Sequence, residues 1–137
     1  MADDLPFLDT NVLLRHLLGD VPDQSARATA YIARVQAGEL RVRTAETVLM
    51  ETVFTLERTY KIPRSRIREE LSAFLSLPGV LLPGKQALSD VLNLYAGSNL
   101  SFIDAYHVVM LPRWGLNRIL SFDRGLDRAP GIRRFEP

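Results

Sequence analysis

Apolar positions along the chain fall into short runs and longer stretches of helical spacing. Residues 5–8 form an apolar run that stops at Asp9 and reads as a buried strand. Residues 12–18 read as a first helix closed by Gly19. A second covers 23–37, with Ala26, Ala30, Ile32, Ala33 and Ala37 on its apolar face and Gly38 at its end. Residues 40–42 alternate with arginines as a brief strand. Thr44 is placed to cap a helix over 45–60, with Val48, Leu49, Val53, Leu56 and Tyr60 as its stripe. Pro63 opens a helix carrying Ile67, Leu71, Phe74, Leu75 and Leu77, and Pro78-Gly79 stops it. A strand at 80–82, a helix at 85–95 ending near Gly97, and a helix capped by Ser101 and running toward Trp114 follow. Pro112 should break that helix near its end. Residues 118–122 read as a strand ending at Asp123, and 132–135 as a last edge strand.

Strands separated by helices predict an α/β fold: an open, mostly parallel sheet with helices on both faces, in one domain over residues 1–137. Ligands in such sheets bind beyond the carboxyl ends of the strands. Asp9 and Asp123 each close a strand, so both should face that crevice.

Composition narrows the chemistry. With 137 residues, 47% hydrophobic and 24% charged, the chain has the balance of a globular domain able to bury its own core. It contains no cysteine, which removes disulfides, thiolate zinc sites and thiol nucleophiles. Met1-Ala2-Asp3-Asp4 lacks the basic and apolar regions of a secretory signal, and no apolar run approaches a membrane span, so a cytoplasmic protein without membrane contact is expected. Net charge is +1, yet Lys61 and Lys85 are the only lysines among 17 basic residues, the other 15 being arginine. Arginine suits phosphate and base contacts; solvated helix faces explain the same bias.

Single residues carry two readings each. Asp9, in Asp9-Thr10-Asn11, either ligates a hard cation with Asn11 as support or caps the first helix. Asp104 sits three residues after Ser101 in a capping box. Asp123 either faces the crevice, with Ser121 on the same side, or forms an Asx turn. Glu51 lies on the flank of its helix stripe, where a solvated glutamate is the plainer reading. Asp127 is either an auxiliary ligand or, the plainer reading, a surface residue pairing with Arg124 or Arg128; His16 and His107 are either a general base or, more plainly, packed or partly exposed helix residues. No phosphate-binding glycine loop and no G-x-S-x-G elbow occurs.

Four segments together resemble the PIN-domain family, and within it the VapC-like toxins of toxin–antitoxin pairs: Phe7-Leu8-Asp9-Thr10-Asn11-Val12-Leu13, Thr47-Val48-Leu49-Met50-Glu51, Phe102-Ile103-Asp104-Ala105-Tyr106-His107, and Leu120-Ser121-Phe122-Asp123-Arg124. The resemblance implies a Rossmann-like three-layer α/β/α sandwich with a mostly parallel central sheet. It also implies that Asp9, Glu51, Asp104 and Asp123 gather Mg2+ or Mn2+, supported by Asn11 and Ser121, in an endoribonuclease that leaves a 5′-phosphate and a 3′-hydroxyl. A VapB-like protein antitoxin and a homodimer belong to the same implication. Arg15, Arg124 and Arg128 are candidates for holding the RNA backbone. Hard cations require oxygen ligands, and a bound divalent ion offsets phosphate charge and activates water.

Two other readings compete. A PIN-like module that only binds RNA or protein would have no use for four mutually repelling carboxylates. An aspartate-based phosphatase would want a second aspartate where Asn11 stands, and a lysine in the site.

Overall fold

The computed structural model of the protein describes residues 5–137. The reading of residues 1–4 as lacking a leader lies outside the described residues. The chain divides into two compact units, Met1–Lys85 and Gln86–Pro137.

The first unit contains α1 (Thr10–Leu18), α2 (Pro22–Gln36), β1 (Val42–Arg43), α3 (Glu46–Arg58), α4 (Arg64–Leu75) and β2 (Val80–Leu81). Helix ends follow local chemistry. Asp9 caps α1, and Gly19 closes it in the left-handed region at φ 63°, where a side chain would be strained. Pro22 and Pro63 stand at the starts of α2 and α4, where a missing N–H costs nothing. α1 packs on α2 and α3, and α3 on α4. Leu13, Ile67, Leu71, Val53 and Val80 are fully buried between them.

β1 and β2 pair in parallel, with Val42 opposite Val80. The strand expected at 5–8 is reduced to one parallel bridge between Phe7 and Arg43, flanked by hydrogen bonds from Leu8 N–H to the Arg43 carbonyl and from Arg43 N–H to the Pro6 carbonyl. It is not buried throughout: Leu8 is 5% exposed and Phe7 58%, the alternation of a one-sided strand. The strand expected at 40–42 begins only at Val42, because the Leu40 N–H is still donated to the Arg34 carbonyl at the end of α2. Thr44 does not cap α3. Its hydroxyl donates to the Leu8 carbonyl at 3.0 Å, and Ala45 takes the cap position without a side-chain bond.

The second unit is led by α5 (Lys85–Ala96), followed by α6 (Phe102–Arg113), β3 (Arg118–Leu120), a short 3-10 helix (Arg124–Arg128) and β4 (Arg133–Phe135). Its core is Val91, Leu92, Tyr95, Phe102, Ala105 and Leu126, with the Tyr95 and Phe102 rings edge to face at 5.6 Å. α6 runs one residue past Pro112 before Trp114 and Gly115 end it. β3 and β4 pair in parallel, with Leu120 opposite Phe135. The strand expected at 118–122 stops early because Ser121 and Asp123 side chains take over the next backbone N–H groups. Every described strand pairing is parallel and helices separate the strands in sequence, as expected for an α/β chain. Among the described residues no helix is long and apolar enough to cross a membrane.

Candidate active site

In the first unit, Asp9 sits at the junction between the Phe7 bridge and α1. Its Oδ1 accepts the Thr10 N–H at 2.8 Å, so the capping reading is realised, while Oδ2 has no partner among the described residues. Thr10 is 3% exposed and its hydroxyl donates to Glu51 Oε2 at 3.1 Å across from α3. One buried threonine thereby ties Glu51 to the residue beside Asp9. Glu51 itself is exposed, as its flank position on the α3 stripe predicts.

In the second unit, Ser101 Oγ accepts the Asp104 N–H at 3.1 Å, the first half of the capping box. The Asp104 carboxylate is left without a partner among the described residues. Ser121 Oγ accepts the Asp123 N–H at 3.0 Å, and Asp123 Oδ1 accepts the Gly125 N–H at 2.9 Å. A Cβ at position 125 would lie 3.1 Å from that same oxygen, so glycine is what lets the turn close on the carboxylate. Asp104 and Asp123 line one cavity of about 450 Å3 together with Asn99, Ser101 and Arg128.

The remaining candidates are distributed differently. Asn11 lines a separate cavity between α1 and α2 and makes no hydrogen bond to Asp9 or Glu51. Arg15 is held by both Asp20 oxygens at 3.2 Å and by Gln24 Oε1 at 3.3 Å. Arg124 is exposed. Arg128 lies on the Asp104–Asp123 cavity with no ion pair among the described residues. Asp127 is a paired surface residue, but its partner is Arg134, at 2.7 Å, rather than Arg124 or Arg128. The Arg134 contact holds the Asp127 carboxyl below its ordinary range. Arg134 also donates to Glu136 and to the Ser121 carbonyl, bracing the strand that leads into Asp123.

Carboxylate oxygens suit a hard divalent cation. In each unit the two candidate carboxylates are free of ion pairs among the described residues, so none is pre-empted by an arginine. Among the described residues no group of three or more His, Asp and Glu side chains is close enough to hold an ion by itself. Mg2+ is commonly bound through one or two carboxylates and several waters.

Thr10 is the residue that motif reading passed over. Nothing in Asp9-Thr10-Asn11 points to a partner 41 positions away. A bond that orients a metal-ligand candidate is worth about 10–100-fold in metal affinity or activity when lost. Thr10→Val keeps the shape and removes the donor; divalent-ion affinity, followed by titration calorimetry, is expected to drop by about that factor, whereas unchanged affinity would make the bond purely structural.

The histidines are packed helix residues. His16 is half-buried and hydrogen-bonded through Nδ1 to Thr29 Oγ1 at 2.9 Å. Burial lowers its pKa below the ordinary 6.5, with Glu70 opposing. The unfolded chain therefore takes up the proton first. His16 favours folding fully above pH about 6.5, and that contribution is lost as pH falls through the depressed folded-state value. His16→Gln is expected to flatten the decline in urea midpoint between about pH 7 and pH 5; an unaltered decline would assign it to other groups.

Residues 7–132 match the PIN domain family. One relative is the VapC ribonuclease of Aquifex aeolicus (strain VF5), 28% identical over 133 residues that make up 97% of this chain and 97% of that protein. The family is a mixed α/β fold, the class read from the strand and helix order and the sandwich type that the resemblance implied. With nearly all of its length inside that match, the chain belongs to the PIN domain family.

Proposed function

We propose that this chain, acting as a single PIN domain, is an endoribonuclease dependent on Mg2+ or Mn2+ and the toxin of a toxin–antitoxin pair. The observation that carries the reading is the cavity where Asp104 and Asp123 face one space beside Arg128. Carboxylates without cation partners next to an arginine suit a phosphodiester held through a divalent ion. In the first unit Asp9 and Glu51, linked through Thr10, are the other two carboxylates the reading assigns to metal binding. When bound, the ion supplies charge neutralisation at the phosphate and an activated water.

The chain's own residues do the rest. Thr10 holds Glu51, Ser121 and Gly125 hold Asp123, and Ser101 fixes the first turn of α6 beneath Asp104. Arg128 is placed to receive a backbone phosphate, with exposed Arg124 in the same short helix. The PIN family match and the full-length relative named a ribonuclease support this reading. With it go a protein antitoxin that masks the carboxylates, a homodimer and a cytoplasmic setting.

The test is cleavage of mixed RNA by the purified chain in Mg2+, in Mn2+ and in EDTA. Cleavage that needs the ion and disappears in Asp9→Ala and Asp104→Ala is the expected result. An inactive wild type, or variants that cut as fast, would remove the nuclease reading and leave a binding module.

A further inference from the structure

The cavity between α1 and α2, about 450 Å3, takes no part in the cleavage proposed above, although Asn11 and Arg15, candidates from the sequence, line it. Asn11, Arg15, Gln24, Arg27 and Tyr31 supply its polar groups, with Val12 on its apolar side. Several of these groups have hydrogen-bonding capacity to spare. The Asn11 amide and the Tyr31 hydroxyl have no partner among the described residues. Gln24 Oε1 accepts from Arg15 Nε, which leaves the Gln24 NH2 donors. Arg27 is paired with Asp23 at 3.1 Å, but both side chains are largely exposed, so that pair contributes little and exchanges readily for a phosphate.

The cavity adjoins the Asp9 side of the unit. A smaller one of about 260 Å3, lined by Phe7, Asp9 and Val42, shares Val12 and Tyr31 with it as a common wall. A flat ring, two amides and an arginine around an open hollow match a nucleobase: the ring for stacking, the amides for the base edge, the arginine for the adjoining phosphate. An unstructured peptide would find few apolar anchors here, since Val12 and Ala28 are the only aliphatic residues of the lining.

We propose that the α1–α2 cavity is a nucleobase subsite that takes one base of single-stranded RNA on the Tyr31 ring, beside the nucleotide held near Asp9. The proposal rests on the ribonuclease reading and names how that site engages its substrate. Stacking is sequence-tolerant, whereas Asn11 and Gln24 would impose a preference through the base edge.

The test is equilibrium binding by fluorescence anisotropy, in the non-cutting Asp104→Ala chain, of a labelled random RNA of about 10 nucleotides. Tyr31→Leu is expected to weaken binding about tenfold, and Tyr31→Phe, which keeps the ring, to hold within about twofold. An abasic strand of the same length should be bound equally by the Asp104→Ala chain with and without Tyr31→Leu. Gln24→Ala, at an exposed position, should flatten the preference among oligo(A), oligo(C) and oligo(U). Equal affinity of the Tyr31→Leu chain for the random RNA, or an equal loss on the abasic strand, overturns the subsite; the first result would turn the cavity over to a protein partner. Cleavage by the wild-type chain separates the two readings. A chain that binds RNA through Tyr31 without cutting keeps the subsite and loses the nuclease, and a chain that binds no RNA loses both.

Discussion

Asp104→Ala is expected to lower metal-dependent RNA cleavage by about 100-fold or more while leaving the fold unchanged. The magnitude follows from what an ion and its ligands contribute at a developing phosphate charge: removal of one preorganised stabilising group costs about 100–1,000-fold. The selectivity follows from how Asp104 is held. Its N–H, not its carboxylate, is bound by the Ser101 hydroxyl at 3.1 Å, and alanine keeps that N–H. Asp9 offers no such separation. Its carboxylate also caps α1, so Asp9→Ala is expected to add about 1 kcal/mol of lost stability to any lost activity. Single-turnover cleavage together with thermal melting of both variants checks this. An Asp104→Ala chain that cuts at the wild-type rate would remove Asp104 from the site.

Leu13→Ala is expected to cost about 2–5 kcal/mol of folding stability. Leu13 is 0% exposed in the middle of α1, the helix that packs on both α2 and α3. Truncation leaves a cavity that those helices can only partly close. Leu13→Met, nearly equal in volume, is expected to stay within about 1.5 kcal/mol. Urea unfolding of the two variants measures both values, and an alanine variant within about 1 kcal/mol of wild type would mean that α1 is not locked by this contact. Leu13 lies one turn beyond Asp9 and Thr10, so the same truncation loosens the end of α1 that carries the Thr10–Glu51 bond.

Local signals were legible and distant partners were not. Gly19, Pro63 and the Ser101 cap mark helix ends through backbone chemistry confined to a few residues, and the structure has them there. Thr44 carries the same local look of a cap, yet its hydroxyl goes to the Leu8 carbonyl, 36 positions away. Asp127 pairs with Arg134 because a turn and β4 bring the arginine back, which nearest-neighbour reasoning cannot anticipate. Phe7 and Leu8 look alike in an apolar run, and only the Phe7–Arg43 bridge decides which of them faces inward. At the candidate site the residue types came from spacing and resemblance. The Thr10–Glu51 bond and the shared Asp104–Asp123 cavity are three-dimensional and left no trace in either motif.

That none of the four carboxylates is ion-paired among the described residues makes the protein, on the proposed reading, a gauge of its surroundings. On the proposed reading, the native state binds a divalent ion and the unfolded chain does not, so stability grows with the logarithm of free ion concentration. Each tenfold rise above the dissociation constant adds about 1.4 kcal/mol. The melting temperature then tracks the ion supply, and chelation shortens the lifetime of the folded chain as well as silencing it.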